Sequence, residues 1–319
     1  MKNMRNREIP VYLFTGFLEC GKTKFIQGTL EDERFNTGEK TLLLVCEEGE
    51  EEYDPSTFYG QNVHIKVLDD KSEMTRENLK KWVEAVHAER VIVEYNGMWL
   101  INEFFEAMPD NWTMYQIILI AEASTFIQYN ANMRSLVVDK LSNCEMVAFN
   151  RFDKNADRMP FHKIVRGISR RCEIIYDFDD GTSEFDEIED PLPFDVNADV
   201  IKVEDRDFAL LYREIMENMK QYDGRKVKFK GICAVNPKFP ENTFVCGRHI
   251  MTCCADDITY CGMLVKWQGS HTVSNADWVW LTAEIEIKFN KLYGRKGPVL
   301  TAIEVAKTNP PEDPVATFY

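Results

Sequence analysis

The sequence predicts two folded parts: an α/β domain on a mostly parallel sheet, followed by a small all-β barrel domain. Three observations predict this. Short apolar runs alternate with helix-patterned segments through residues 1–199, which is the pattern of a parallel sheet covered on both faces. One glycine-containing octet, Gly16 to Thr23, sits between such a run and the start of a helix. After Gly224 the hydrophobic period changes from helical to two. A length of 319 residues suits two domains, and 45% apolar residues can fill two cores. We place the domains at 1–199 and 200–319.

The first strand is Val11–Phe14, and it runs into Gly16-Phe17-Leu18-Glu19-Cys20-Gly21-Lys22-Thr23. This octet fits the phosphate-loop pattern G-x-x-x-x-G-K-[ST], and Lys24-Phe25-Ile26-Gln27 supplies a helical turn after it. Glycines let backbone N–H groups curl toward phosphate oxygens, and the helix N-terminus adds positive potential. Lys22 is expected to reach the β- and γ-phosphates, and the Thr23 hydroxyl to ligate Mg²⁺. Gly16, Glu19, Cys20, Gly21, Lys22, Thr23 and Lys24 are therefore expected around a nucleotide. The bland alternative is a glycine turn with a chance Lys-Thr, and the strand before and helix after weigh against it. The fold class is thus an α/β phosphate-loop NTPase domain.

Strands Thr41–Cys46, Val63–Val67, Arg90–Glu94, Tyr115–Ala121, Met146–Asn150 and Glu173–Tyr176 follow. Helical segments such as Glu77 to Ala88 and Phe161 to Arg170 separate them. In such sheets ligands bind beyond the carboxyl ends of the strands, and three further features fall there. Glu94-Tyr95-Asn96-Gly97 offers a carboxylate for Mg²⁺ or its water and a glycine N–H for the γ-phosphate. Glu47-Glu48-Gly49-Glu50 offers oxygen ligands to a hard cation, and we assign Glu48 to it. Asn150-Arg151-Phe152-Asp153 is close to the N-K-x-D element that reads guanine. Asp153 would accept from the guanine N1–H and exocyclic amine, and the Arg151 stem can cover the base plane. A polar strand-to-helix cap is the alternative reading of this element. The catalytic set is Lys22, Thr23 and Glu94, and the Mg²⁺ set is Thr23, Glu48 and Glu94.

These pieces resemble the CobW-type GTPases, relatives of the nickel-site metallochaperone GTPases. The resemblance rests on Ile9-Pro10-Val11-Tyr12-Leu13-Phe14-Thr15-Gly16-Phe17-Leu18, the phosphate loop, Glu94-x-x-Gly97 and Asn150-x-x-Asp153, in the right order and spacing. It implies GTP and Mg²⁺ binding, slow hydrolysis, and use of the nucleotide state to handle a metal or a client. One departure matters. Most of that family carries Cys-x-Cys-Cys after the second strand, whereas His64-Ile65-Lys66-Val67-Leu68-Asp69-Asp70-Lys71 has no cysteine. Cys46 and the Glu47–Glu52 block are the local metal-capable residues left. Cys20 stands where the family often has Ser and is read as a small space-filler.

Asp180 to Ala198 is acidic, contains Pro191 and Pro193, and reads as a linker or long loop. Phe208, Leu211, Tyr212, Ile215 and Met219 make one helical face, and Tyr222-Asp223-Gly224 closes that helix. Val227 and Phe229 then alternate with lysines, and Val279, Leu281, Ala283, Ile285, Ile287 and Phe289 alternate along a second strand. With Thr243–Cys254, Tyr260–Trp267 and Val299–Val305 these give a five-stranded OB-like barrel. Within it, His249, Met251 and Cys253 share a strand face, while adjacent Cys253 and Cys254 point to opposite faces. Thiolates with an imidazole suit Zn²⁺, so Cys253, Cys254 and His249 are the candidate zinc set. The alternative is one packed cysteine and one ordinary thiol. The stretch from Asp223 to Asp256 resembles the C-terminal domain of YcgQ-like bacterial proteins, which accompany a predicted permease. That resemblance implies a permease partner.

Composition narrows the function classes. A formal net charge of −15 argues against nucleic acid, although an OB-like barrel carrying Lys226, Lys228 and Lys230 with Trp278 and Trp280 invites that reading. The acidic run from Asp177 to Asp190 reads as a solvated loop. No apolar run is long enough for a signal peptide or a membrane span, and nine scattered cysteines read as cytosolic thiols, so a cytoplasmic location is expected. The expected activity is slow Mg²⁺-dependent GTP hydrolysis by a metallochaperone-like or client-regulating switch. Its partners would be GTP and GDP and a metal or metalloprotein client, and a homo-oligomer is compatible. The alternative is a nucleotide-stabilised scaffold or permease-binding module with little turnover, because no certain Gln or Arg finger is visible.

Overall fold

The computed structural model describes residues 8–252, 257–269 and 273–318. The chain divides into two compact units, Met1–Glu189 and Asp190–Tyr319.

The first unit is built on an eight-stranded sheet. Its strands are β1 (Ile9–Thr15), β2 (Thr41–Val45), β3 (Val63–Val67), β4 (Arg90–Glu94), β5 (Trp112–Glu122), β6 (Met146–Asn150), β7 (Glu173–Asp177) and β8 (Ser183–Phe185). They lie in the order β3-β2-β4-β1-β5-β6-β7-β8. Every neighbouring pair is parallel except β7 with β8. Helices α1 (Lys22–Glu31), α2 (Arg76–Val86), α3 (Ile101–Ala107), α4 (Ala123–Asn132), α5 (Arg134–Asn143) and α6 (Met159–Ile168) connect them.

Continuous apolar runs here mean burial on both faces, as β2 and β4 show by being buried at every position. The period of two sorts their side chains. Val11, Leu13, Leu42, Leu44, Val91 and Val93 belong to one core. Phe14, Leu43, Val45 and Ile92 belong to the other, with Ile26 and Leu30 of α1. Strand β5 starts at Trp112, earlier than the apolar run suggests, because Trp112, Thr113 and Met114 pair with Ile9, Pro10 and Val11 before a register shift. The site lies at the carboxyl ends of β1, β4 and β6, in the middle of the sheet.

The second unit contains β9 (Ile201–Lys202), α7 (Phe208–Glu217), α8 (Met219–Tyr222), β10 (Lys226–Ala234), β11 (Thr243–Ile250), β12 (Thr259–Lys266), β13 (Trp278–Asn290), β14 (Arg295–Lys307) and β15 (Val315–Ala316). The order β11-β12-β14-β13-β10, with β10 also pairing β11, closes a five-stranded barrel. Its pairs are antiparallel except β12 with β14. Val227, Phe229, Leu281, Ala283 and Ile285 point into its core, joined by Phe208, Leu211 and Ile215 of α7. The stretch read as a linker is irregular beyond β8, yet Phe194 within it is buried in this core. Arg248 is fully buried and donates to the carbonyls of Asp205, Asp313 and Pro314. Among the described residues no helix is long and apolar enough to cross a membrane.

Candidate functional site

At the end of β1 the chain turns back on itself. Gly16 has φ 148° and Gly21 φ 96°. A Cβ on Gly16 would strike the Ile120 carbonyl and come within 2.7 Å of Cys20 Sγ, and one on Gly21 would strike the Asn150 amide. Only glycine combines that φ with that proximity. Gly21 is the N-cap of α1, so the loop leads directly into a helix N-terminus. Cys20 is buried, and burial pushes its thiol up to about 11, which keeps it neutral and fits the space-filler reading.

Lys22 is only 3% exposed. Its ammonium donates to Gly16 O at 2.8 Å, Phe17 O at 3.1 Å and Glu47 Oε2 at 2.6 Å. Burial opposes the charge, but Cys20, Glu47 and Glu94 together outweigh it and hold Lys22 above its ordinary pKa. Thr23 donates its hydroxyl to Glu94 Oε1 at 2.9 Å, and Tyr53 donates to Glu94 Oε2. Burial raises the pKa of Glu94, and the hydrogen bonds from Tyr53 and Thr23 and the charge of Lys22 only partly offset it.

The turn after β4 lies against the loop. A Cβ on Gly97 would clash with Gly16 O and sit 2.7 Å from Phe17 Cα. This turn is braced from behind. The fully buried Lys140 donates to Trp99 O at 3.0 Å, and Asp139 accepts from Ile101 N at 3.1 Å. After β6, Asn150 donates to Cys20 O at 3.0 Å. Arg151, at φ 53°, donates to Glu19 O at 3.3 Å and pairs with Glu122. Asp153 is exposed and accepts from Asn155 N at 2.9 Å, so it closes its own turn. It does not cap α6, whose first N–H bonds Asp157 instead.

The structure therefore brings Gly16, Gly21, Lys22, Thr23, Glu94, Gly97 and Asn150 together. Lys24, Glu19 and Arg151 line the same cleft at its rim. Glu48 is exposed, and its neighbour Glu47 is the acid that meets Lys22. Sequence reasoning missed three contributors: Glu47 as the ion partner, Tyr53 and Lys140. A signal existed for Glu47. Leu43 and Val45 share the sheet face that α1 covers, and the same alternation carried one step further selects Glu47. For Tyr53 and Lys140 we find no sequence signal.

The donor chemistry suits a hard cation. The Thr23 hydroxyl and Glu94 carboxylate are adjacent oxygen groups in a cleft that also holds Lys22. In the barrel, His249 is exposed and packs on Tyr260 with ring centroids 5.5 Å apart. Cys261 pairs with Arg248 one position along and packs on the core, so it faces the other way. Cys253 and Cys254 lie outside the described residues. Among the described residues no cluster of His, Cys, Asp and Glu could hold a metal ion by itself, and the described cysteines are free thiols.

Comparison with curated proteins gives no match. Residues 181–316 match the family described as the DUF1980 C-terminal domain. Among solved structures, a Zn(II)-bound YjiA GTPase from E. coli is 19% identical with a TM-score of 0.41, over 53% of this chain and 57% of its own. This chain thus spans little more than half of that protein. A Zn(II)-bound triple mutant of YjiA is 16% identical with a TM-score of 0.43, over 72% of this chain and 74% of its own. The hydrogenase maturation factor HypB from Archaeoglobus fulgidus is 12% identical with a TM-score of 0.38, over 53% of this chain and 80% of its own.

Proposed function

We propose that the chain is a GTP-binding protein that hydrolyses GTP slowly with Mg²⁺ and uses its nucleotide state as a switch on a metal or a metalloprotein client. The observation that carries this reading is the contact set at the end of β1. A glycine-curled loop presents a buried lysine, Thr23 is hydrogen-bonded to Glu94, and Gly97 packs on the loop backbone. Each group has a task in phosphoryl transfer. Loop N–H groups and Lys22 neutralise phosphate charge, and Gly97 leaves room for its own N–H to approach the terminal phosphate. Thr23 and Glu94 would hold Mg²⁺, which supplies charge neutralisation between phosphate oxygens when bound. Asn150 steadies the loop from β6, and the exposed Asp153 carboxylate stands ready for a guanine edge.

In this reading the barrel is of the OB type and serves as a docking or metal-handling module, with a permease as a candidate partner. Its strand order, with one parallel pair closing an otherwise antiparallel ring, supports the fold assignment. Zinc at Cys253, Cys254 and His249 belongs to the same proposal. Competition calorimetry with GTP and ATP tests the core of it. GTP should bind with Mg²⁺ and outcompete ATP, Lys22→Ala should abolish binding, and Asp153→Asn should erode the preference by tenfold or more through lost charge-assisted hydrogen bonds. Equal affinity for the two nucleotides would refute guanine recognition.

A further inference from the structure

The segment that follows β2 touches both groups that the proposed nucleotide site needs most. Lys22 has three N–H donors, and all three are taken: two by loop carbonyls and the third by Glu47. A phosphate oxygen must displace one of them, and the carboxylate is the one that can leave without unmaking the loop. Glu94 has two oxygens. Thr23 donates to one, an arrangement that can persist with a cation on the Thr23 oxygen. Tyr53 donates to the other, where a cation-bound water would donate. Glu50 N adds a third tie, donating to Glu19 Oε1 in the phosphate loop at 2.9 Å.

We propose that the Glu47–Tyr53 segment is an internal occupant of the nucleotide site, a latch in which Glu47 stands in for a phosphate and Tyr53 for a cation-bound water. This rests on the nucleotide reading above and deepens it. The segment is built to move between fixed ends. Cys46 is buried at one end and Phe58 at the other, whereas residues 48–52 are exposed. Gln27 of α1 holds the far end by donating to Asp54 O at 3.2 Å and accepting from Asp54 N at 3.1 Å. Charge supplies the drive. Glu47, Glu48, Glu50, Glu51 and Glu52 beside a triphosphate repel it, so a bound nucleotide expels the segment rather than sharing the site with it. Occupancy of the nucleotide site would thereby be reported as release of an acidic loop to solvent.

The test uses the full chain, with Mg²⁺ and a non-hydrolysable GTP analogue as probes. Glu47→Gln should bind the analogue about tenfold tighter, equal to about 1.4 kcal/mol, because a competing charge has been removed. Tyr53→Phe should lower the Mg²⁺ concentration needed for half-maximal binding by roughly tenfold or more, as expected for losing one hydrogen bond to a charged group. In the unaltered chain, analogue with Mg²⁺ should speed hydrogen exchange at the Glu50 amide, which needs no variant to fold. Unchanged exchange at Glu50 in a chain that binds the analogue would overturn the latch and leave the nucleotide reading standing. Weaker binding by Glu47→Gln would also overturn it, since Glu47 would then be helping the ligand. No binding by the native chain would overturn both.

Discussion

Replacing Glu94 with Gln should make the ligand-free protein more stable while weakening the proposed binding of Mg²⁺ and GTP. Glu94 is 3% exposed and accepts from Thr23 at 2.9 Å and from Tyr53. With Gln these become neutral hydrogen bonds, since either hydroxyl can rotate to accept. Bonds to a charged group contribute about 1.5–3 kcal/mol each and neutral ones about 0.5–1.5, so the exchange of two such bonds loses about 2–3 kcal/mol in all. Against it stands the desolvation of a buried carboxylate, which is several kcal/mol per ion and is removed outright. We expect a net gain of about 1–2 kcal/mol, or a melting temperature higher by about 2–8 °C. The pH dependence gives a second handle. Burial raises the folded pKa of Glu94, so the native state holds its proton more tightly than the unfolded chain. Stability from this group is full below the unfolded pKa and is lost as pH rises through the folded pKa, and Gln should flatten that decline. Circular dichroism melts in chelator, repeated across pH, and Mg²⁺-dependent GTP calorimetry make the assay. A ligand-free variant that melts lower than the native chain would refute the reasoning, for it would make Glu94 a structural acid rather than one kept under strain for a ligand.

Three further outcomes are expected. Gly97→Ala would put a methyl group 2.7 Å from Phe17 Cα and 2.9 Å from the Gly16 carbonyl carbon; we expect a loss of about 1–3 kcal/mol in denaturant melts together with weaker GTP binding, and a native-like variant would mean the turn does not press on the loop. Arg248→Met would strand the carbonyls of Asp205, Asp313 and Pro314, and thermal melts should show a loss of about 2–4 kcal/mol with GTP affinity untouched. If Cys253 and Cys254 hold zinc, the reduced native chain should bind it near neutral pH with release of protons, and the double Ser variant should not; equal zinc content in both would remove that site.

The strand-loop-helix at the amino end was legible in the sequence because its requirements are local. An apolar run, two glycines at fixed spacing and a Lys-Thr pair dictate a curled loop at a helix start, whatever surrounds them. The barrel strands were legible for the same reason, since an alternation such as Val279 to Phe289 can bury only one face. Glu94 and Asn150 were readable as strand-end polar groups, because parallel sheets gather such ends on one edge. What the strand alternation only hints at is which residue of the acidic run after β2 turns inward. Glu48 and Glu47 are chemically the same, and only the sheet face covered by α1 sends Glu47 to Lys22. Tyr53 and Lys140 reach the site from segments remote in sequence, across contacts that exist only once the sheet order β2-β4-β1-β5 is assembled. The sequence by itself determined the curled loop at the centre of the cleft, since its glycines, Lys22 and Thr23 stand together in one octet. The tertiary structure alone decided what presses on that centre, because long-range packing chooses among residues that local patterning leaves equivalent.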